Sequence, residues 1–315
     1  MCALMTVGMY LNAVEESEHI FATFERALHK EISQAGLRVE DINHAIRQLQ
    51  SAYRRISPNR QISSINYDCA SYRAAYLYLY AGCHAAAVYS ELTCLMYKYP
   101  TEFTKLMRYE MPDLHICSLG GGPGCDVLGL LHCRRINNKM NVTRSIRCTV
   151  VDLCMGWGVA LQHVQEAYTA GLGSFREMVN FDFRQVNLCT GSPQLQEIST
   201  ANIVSLVKYV SVVSYYYTKS PSLLETIFWR MKPGSYVFFL DNSAGGFYEM
   251  TSRAAARAGL LLVAQPIFHR WNFPSKYEFN SKYVSRSLRT TSVICAIWIK
   301  SGAEPLLRLP TIYAI

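Results

Sequence analysis

No run of eighteen or more apolar residues occurs anywhere in the chain, so the sequence offers no membrane-spanning helix. The start, M-C-A-L-M-T-V-G-M-Y-L-N-A-V, lacks a basic region and turns acidic at Glu15, Glu16 and Glu18, so a cleaved secretory leader is not expected. The eleven cysteines are odd in number, scattered, and never spaced as C-x-x-C. Cys117, Cys125 and Cys148 fall in or beside expected core elements. Buried thiols in a reducing, intracellular compartment, cytoplasmic or nuclear, fit that pattern, and no metal site is expected. Half of the 315 residues are hydrophobic, enough for a full core in one large domain or a domain with an appendage. The net charge of +8 hints at an anionic partner.

The stretch 114–126, L-H-I-C-S-L-G-G-G-P-G-C-D, organises the rest. Its apolar beginning reads as a buried strand ending at Leu119, its glycines permit a sharp turn and close approach of a ligand, and V-L-G-L-L-H-C-R-R returns to helical spacing. The helix would aim its first N–H groups and positive dipole end back at the turn. A dinucleotide fingerprint, G-x-G-x-x-G, fails in both registers, since its third place falls on Cys125 or on Val127. No Gly-Lys-Ser/Thr follows, which excludes a Walker loop. G-x-G-x-G does fit, with Gly120, Gly122 and Gly124 in place. A second strand, 148–151, ends at Asp152, where an acid at the carboxyl end of a parallel strand faces ribose hydroxyls.

This glycine pattern resembles motif I of the class I S-adenosylmethionine-dependent methyltransferases. The resemblance implies a Rossmann-like α/β fold: a seven-stranded, mostly parallel sheet with an antiparallel last strand, here with an N-terminal helical extension (1–110) before the methyltransferase-like part (111–315). It implies S-adenosyl-L-methionine as cofactor. Many relatives carry an acid two residues before the first glycine; here that place holds Ser118, and Asp126 just beyond the loop is the alternative carboxylate. Asp182, in the third strand, falls near where the family often reads the adenine amino group. Tyr72, Tyr76 and Tyr80 recur every four residues along a helix 71–98 that also holds Arg73 and His84. Core or interface packing accounts for most such stripes, and a lid placing Arg73 over the cofactor mouth is the sharper expectation.

The fourth strand, 203–207, is followed by Lys208 and Tyr209, close to where the family brings the methyl group; Asn242 closes the fifth strand at the same rim. These three are the candidate catalytic residues. Neither the Asp/Asn-Pro-Pro-aromatic stretch of amino-directed enzymes nor the acid of the Lys-Asp-Lys-Glu set of ribose 2′-O enzymes is found at this point, and no catalytic base is recognisable. A sixth strand is expected at 260–264 and a seventh at 292–300. The connection between them interleaves Arg270, Lys276 and Lys282 with Trp271 and other aromatics. Positive charge neutralises phosphates and aromatic faces stack bases, so RNA is the expected anionic acceptor, with packing of those aromatics onto the sheet as the equal alternative. Protein or small-molecule acceptors stay open, as does a cofactor-binding regulator or partner subunit without turnover. The basic stretch 134–147 joins a helix end to a strand start, on the side of the sheet away from the ligand, and reads as solvation or remote docking.

Overall fold

The computed structural model describes residues 7–54, 56–59, 65–109, 111, 113–137, 145–171, 178–190, 195–273 and 282–302, with side chains from residue 16 onward. Helices come first: α1 (Val7–Ala35), α2 (Val39–Tyr53), α3 (Ala70–Tyr76), a π-helical turn (Leu77–Ala81), α4 (Gly82–Lys98) and α5 (Pro100–Met107). In α2 the buried residues Ile42, Ala45, Ile46, Leu49 and Ala52 fall three or four apart, the stripe that a helix packing on a core requires. Pro100 opens α5, where its missing N–H is not needed.

Strands and helices then alternate: β1 (Asp113–Leu119), α6 (Cys125–Asn137), β2 (Ser145–Asp152), α7 (Trp157–Ala170), β3 (Met178–Gln185), α8 (Gln196–Thr200), β4 (Ile203–Val207), α9 (Val210–Lys219), α10 (Ser222–Trp229), β5 (Tyr236–Asn242), α11 (Phe247–Arg257), β6 (Leu260–Asn272) and β7 (Thr290–Lys300). The sheet order is β3-β2-β1-β4-β5-β7-β6. β1 to β5 are parallel, and β7 runs antiparallel to β5 and β6. This is the Rossmann-like sheet expected from the glycine motif, with the antiparallel strand inserted between β5 and β6. The two strand reversals in the order, between β1 and β4 and at β7, leave the carboxyl ends of β1, β2, β4 and β5 along one edge, where ligands bind in open α/β sheets.

Both faces of the sheet are covered, which is why the central strands read as unbroken apolar runs. Ile116, Val150 and Phe238 pack on one face with α1 to α4, α6 and α7, so the N-terminal helices share a core with the sheet. Cys117, Val204 and Phe239 pack on the other with α9, α10 and α11. Among the described residues no helix is long and apolar enough to cross a membrane.

One expectation is corrected. The sixth strand, expected to stop at residue 264, continues to Asn272, with irregular register between Leu262 and Ala264 and between Ala264 and Ile267. Pro266 reads as a strand stop in the sequence, yet an edge strand with a bulge tolerates a residue without an N–H.

Candidate functional site

The turn after β1 is anchored before it opens. The Gly120 N–H donates to the Val151 carbonyl at 2.7 Å, tying it to the end of β2, and the Gly124 N–H closes on the Gly121 carbonyl at 2.8 Å. Gly120, Gly122 and Gly124 have φ of 63°, 53° and 82°, so all three glycines of the motif occupy the left-handed region that side chains disfavour. At Gly120 a Cβ would also run into the Tyr209 ring.

Gly122 links the two halves of the site. Its N–H donates to Asp152 Oδ2 at 3.1 Å, while Asp152 Oδ1 accepts from the Cys154 N–H at 3.3 Å. Each carboxylate oxygen therefore retains acceptor capacity. Asp152 lies deep among protein atoms yet keeps part of its surface open. Burial raises its pKa to about 6, against the lowering effect of the backbone N–H groups of Cys154, Gly122 and Leu153.

Aromatic rings pack beside the turn. The Tyr67 ring lies 4.4 Å from that of Trp157, which covers Gly122, and Tyr76 meets Trp157 edge-on at 5.3 Å. The Tyr53 and Tyr67 hydroxyls share a hydrogen bond of 2.5 Å. Arg73 holds the backbone at Tyr67. Its Nε donates to Glu31 Oε1 at 2.9 Å, and one terminal nitrogen donates to the carbonyls of Tyr67 and Asp68 at 2.9 and 2.8 Å. Asp68 Oδ1 in turn accepts from the Gly156 N–H at 2.7 Å, at the start of α7. The lid expectation is thus corrected for the guanidinium: Arg73 is buried in a protein-internal pair with Glu31, so it fixes the Tyr67 turn instead of facing the cleft.

Two acids expected at the cofactor fall elsewhere. Asp126 is turned inward and fully buried, its carboxyl beside Ser118 and Ser205, which are register partners on β1 and β4. Burial raises its pKa, and the two hydroxyls counteract that only in part. Ser118 is therefore a floor residue beneath the turn. Asp182 pairs with Thr149 in mid-strand, three residues short of the Asp152 level, and its carboxylate bonds Arg184 at 2.9 Å. At about 3.3 Å per residue it stands roughly 10 Å below the cleft edge.

At the ends of β4 and β5 the three catalytic candidates separate. Lys208 adopts a left-handed φ of 54°, and its Nζ donates to Asn242 Oδ1 at 2.7 Å and reaches Thr291 Oγ1 at 3.4 Å. Burial lowers the Lys208 pKa, partly offset by Asp241. Tyr209 instead points into the core, its hydroxyl 2.6 Å from that of Tyr217. The structure adds His84, which sequence reading placed only on a helix. Its Nδ1 lies 3.2 Å from the Tyr76 hydroxyl, and burial followed by the Lys208 charge holds its pKa well below the usual histidine value. His84 thus lies within electrostatic reach of Lys208.

The expected acceptor surface is only partly there. Trp271 is buried, its Nε1 donating to Glu91 Oε1 at 2.7 Å, and its ring stacks on Phe273 at 6.2 Å, so it is not available to stack a base. Arg270 and Lys282 are exposed, as is Phe268 at 60%. Lys276 lies outside the described residues. No group of three or more metal-ligating side chains exists among the described residues, and most described cysteines are buried and all are free.

No protein-family model and no curated protein matches the chain. Solved structures do. A candidate RNA methyltransferase of Pyrococcus horikoshii is similar at 13% identity and a TM-score of 0.40, over 69% of this chain and 84% of its own. A precorrin-6y C5,15-methyltransferase of Geobacter metallireducens is similar at 9% identity and 0.37, over 63% and 85%. A candidate class I S-adenosylmethionine-dependent methyltransferase of Listeria monocytogenes is similar at 10% identity and 0.43, over 94% and 91%. At such identities and scores these likenesses carry no activity or acceptor over to this chain.

Proposed function

We propose that the chain is a class I S-adenosylmethionine-dependent methyltransferase. The observation that carries this reading is the joint placement of three left-handed glycines and a partly exposed Asp152 at the adjoining carboxyl ends of β1 and β2, in a sheet of this order. The residues fit the cofactor. Asp152 has acceptor capacity left for the two ribose hydroxyls, its raised pKa reports an incompletely solvated carboxylate, and Gly122 presents no side chain to a ligand. When bound, the cofactor supplies a methyl group activated on a sulfonium. The chain's own part is to orient: Lys208, fixed by Asn242 and Thr291, would hold a polar atom of the acceptor. Most of the rate would come from proximity and orientation.

For the acceptor we propose RNA, supported by the net charge of +8 and by the exposed Arg270, Lys282 and Phe268. Calorimetry with S-adenosylmethionine tests the cofactor, and transfer of a labelled methyl group into fractionated RNA, protein and metabolites tests the rest. Incorporation into RNA supports the full reading; incorporation into another pool replaces the acceptor. Binding without transfer into any pool assigns the chain to the regulators, and no binding overturns the methyltransferase reading.

A further inference from the structure

At the opposite edge of the sheet, about 20 Å along β1 from the glycine turn at about 3.3 Å per residue, two cavities adjoin. One of about 660 Å³ is lined by Lys105, Arg108 and Tyr236 among others; its neighbour of about 430 Å³ is lined by Arg108, Asp113, His115, Arg147, Thr200 and Lys232. Four cations from three parts of the chain thus line these cavities, and among the described lining residues Asp113 is the one carboxylate.

Arg147 and Lys232 are held by neutral groups. Arg147 donates to His115 Nδ1 at 2.9 Å and to Thr200 Oγ1 at 3.2 Å, and Lys232 Nζ donates to the Thr200 carbonyl at 2.7 Å. His115 Nε2 lies 3.1 Å from Thr149 Oγ1, so the ring accepts through Nδ1 and donates through Nε2 as the neutral imidazole. Burial and the Arg147 charge push its pKa down to about 4, which keeps it in that form. Glu197 also acts on His115, and it is engaged by Arg184 at 3.2 Å. Burial, then Arg108 and Arg147, also lower the Lys232 pKa, showing that the like charges press on one another. Arg108 itself has a left-handed φ of 50°, a conformation a non-glycine residue holds only against strain. A concave lining in which one sign predominates focuses its field on an ion of the other.

We propose that this pocket binds a phosphate group, presented either by a polynucleotide backbone or by a free polyphosphate, at a site distinct from the methyl-transfer cleft. It does not depend on the methyltransferase reading. Neutral anchors leave the charge of Arg147 and Lys232 for a ligand, and their donor geometry suits phosphate oxygens.

The test uses the full chain with two probes, a fluorescein-labelled single-stranded RNA oligonucleotide read by anisotropy and inorganic tripolyphosphate read by calorimetry. The double variant Arg147→Gln, Lys232→Gln should weaken at least one probe about tenfold or more and, for RNA, reduce the slope of log affinity against log salt by roughly 1 to 2. The single variant Arg147→Lys should retain most of the binding, which separates loss of charge from loss of fold. S-adenosylmethionine titration of the same proteins reads the other cleft, so a failure there leaves this result interpretable. Loss for RNA alone identifies a backbone phosphate, and loss for tripolyphosphate alone a free polyphosphate. Equal affinity of wild type and double variant for both probes, or RNA binding abolished by Arg270→Glu with Lys282→Glu while the pocket variant leaves both probes untouched, overturns the proposal.

Discussion

Asp152 should make the protein less stable as the pH rises, and replacing it by asparagine should remove that dependence. The folded-state pKa of about 6 lies above the ordinary aspartate value of 3.8. The folded protein therefore binds more protons than the unfolded chain between those values, and stability attributable to this group falls as the pH climbs through the window. The full shift corresponds to about 3 kcal/mol, of which about 2 kcal/mol falls between pH 4.5 and 7.5. Asparagine also disturbs one of the two backbone bonds, from Gly122 or Cys154, but that cost is common to both pH values and cancels in the difference. Urea unfolding of wild type and Asp152→Asn at the two pH values reads it directly: wild type should lose about 2 kcal/mol relative to the variant on going to pH 7.5. Bound S-adenosylmethionine should reverse the sign of the effect, because hydroxyl donors favour the carboxylate, so binding near pH 6 should release protons in wild type and not in the variant. Parallel stability profiles, together with equal cofactor affinity in the two proteins, would refute both the burial of Asp152 and its role.

Gly122→Val should abolish S-adenosylmethionine binding in calorimetry and lower stability by roughly 1 to 2 kcal/mol, since a branched residue is forced to a φ of 53°. Arg73→Met should destabilise by roughly 3 to 5 kcal/mol in urea, because Glu31 is left charged and buried beside His163; pairing it with Glu31→Gln should recover part of the loss. Trp271→Phe should cost roughly 1 to 3 kcal/mol by removing the donor to Glu91, while leaving RNA affinity unchanged. A lost RNA affinity with intact stability would return Trp271 to the acceptor surface.

The sheet was legible because its signals are local. An apolar run, three glycines at alternate places and an acid closing the next run each depend on a few neighbouring residues, and the structure seats β1, the turn and Asp152 accordingly. Burial of charged residues was not legible. Nothing near Arg73 in the chain announces Glu31, which is 42 residues away, and nothing near Trp271 announces Glu91, 180 residues away. An aromatic flanked by basic residues reads the same whether it stacks a ligand or meets a buried carboxylate. Asp182 shows a third failure: a strand's end cannot be fixed to one residue from composition, and three residues decide between the cleft rim and the middle of the sheet.

The His84 position was obscured by a helical irregularity. At about 3.6 residues per turn, side chains four apart advance by about 40°, so Tyr72, Tyr76, Tyr80 and His84 would drift steadily off one face of a regular helix. The turn Leu77–Ala81 is instead π-helical, and its wider winding takes up one extra residue and sets the drift back. Tyr76, Tyr80 and His84 accordingly remain within ring contact, at centroid separations of 5.6 Å for the two tyrosines, 5.9 Å for Tyr80 with His84 and 6.1 Å for Tyr76 with His84. Single π-turns inside helices are frequently found at functional sites, and in this one the Leu79 carbonyl also accepts from the Leu288 N–H, in the segment leading into β7. Of the two things that the sequence left open, the packing is what these rings do: they contact one another and, through the π-turn, His84, while Arg73 beside them is turned into its pair with Glu31.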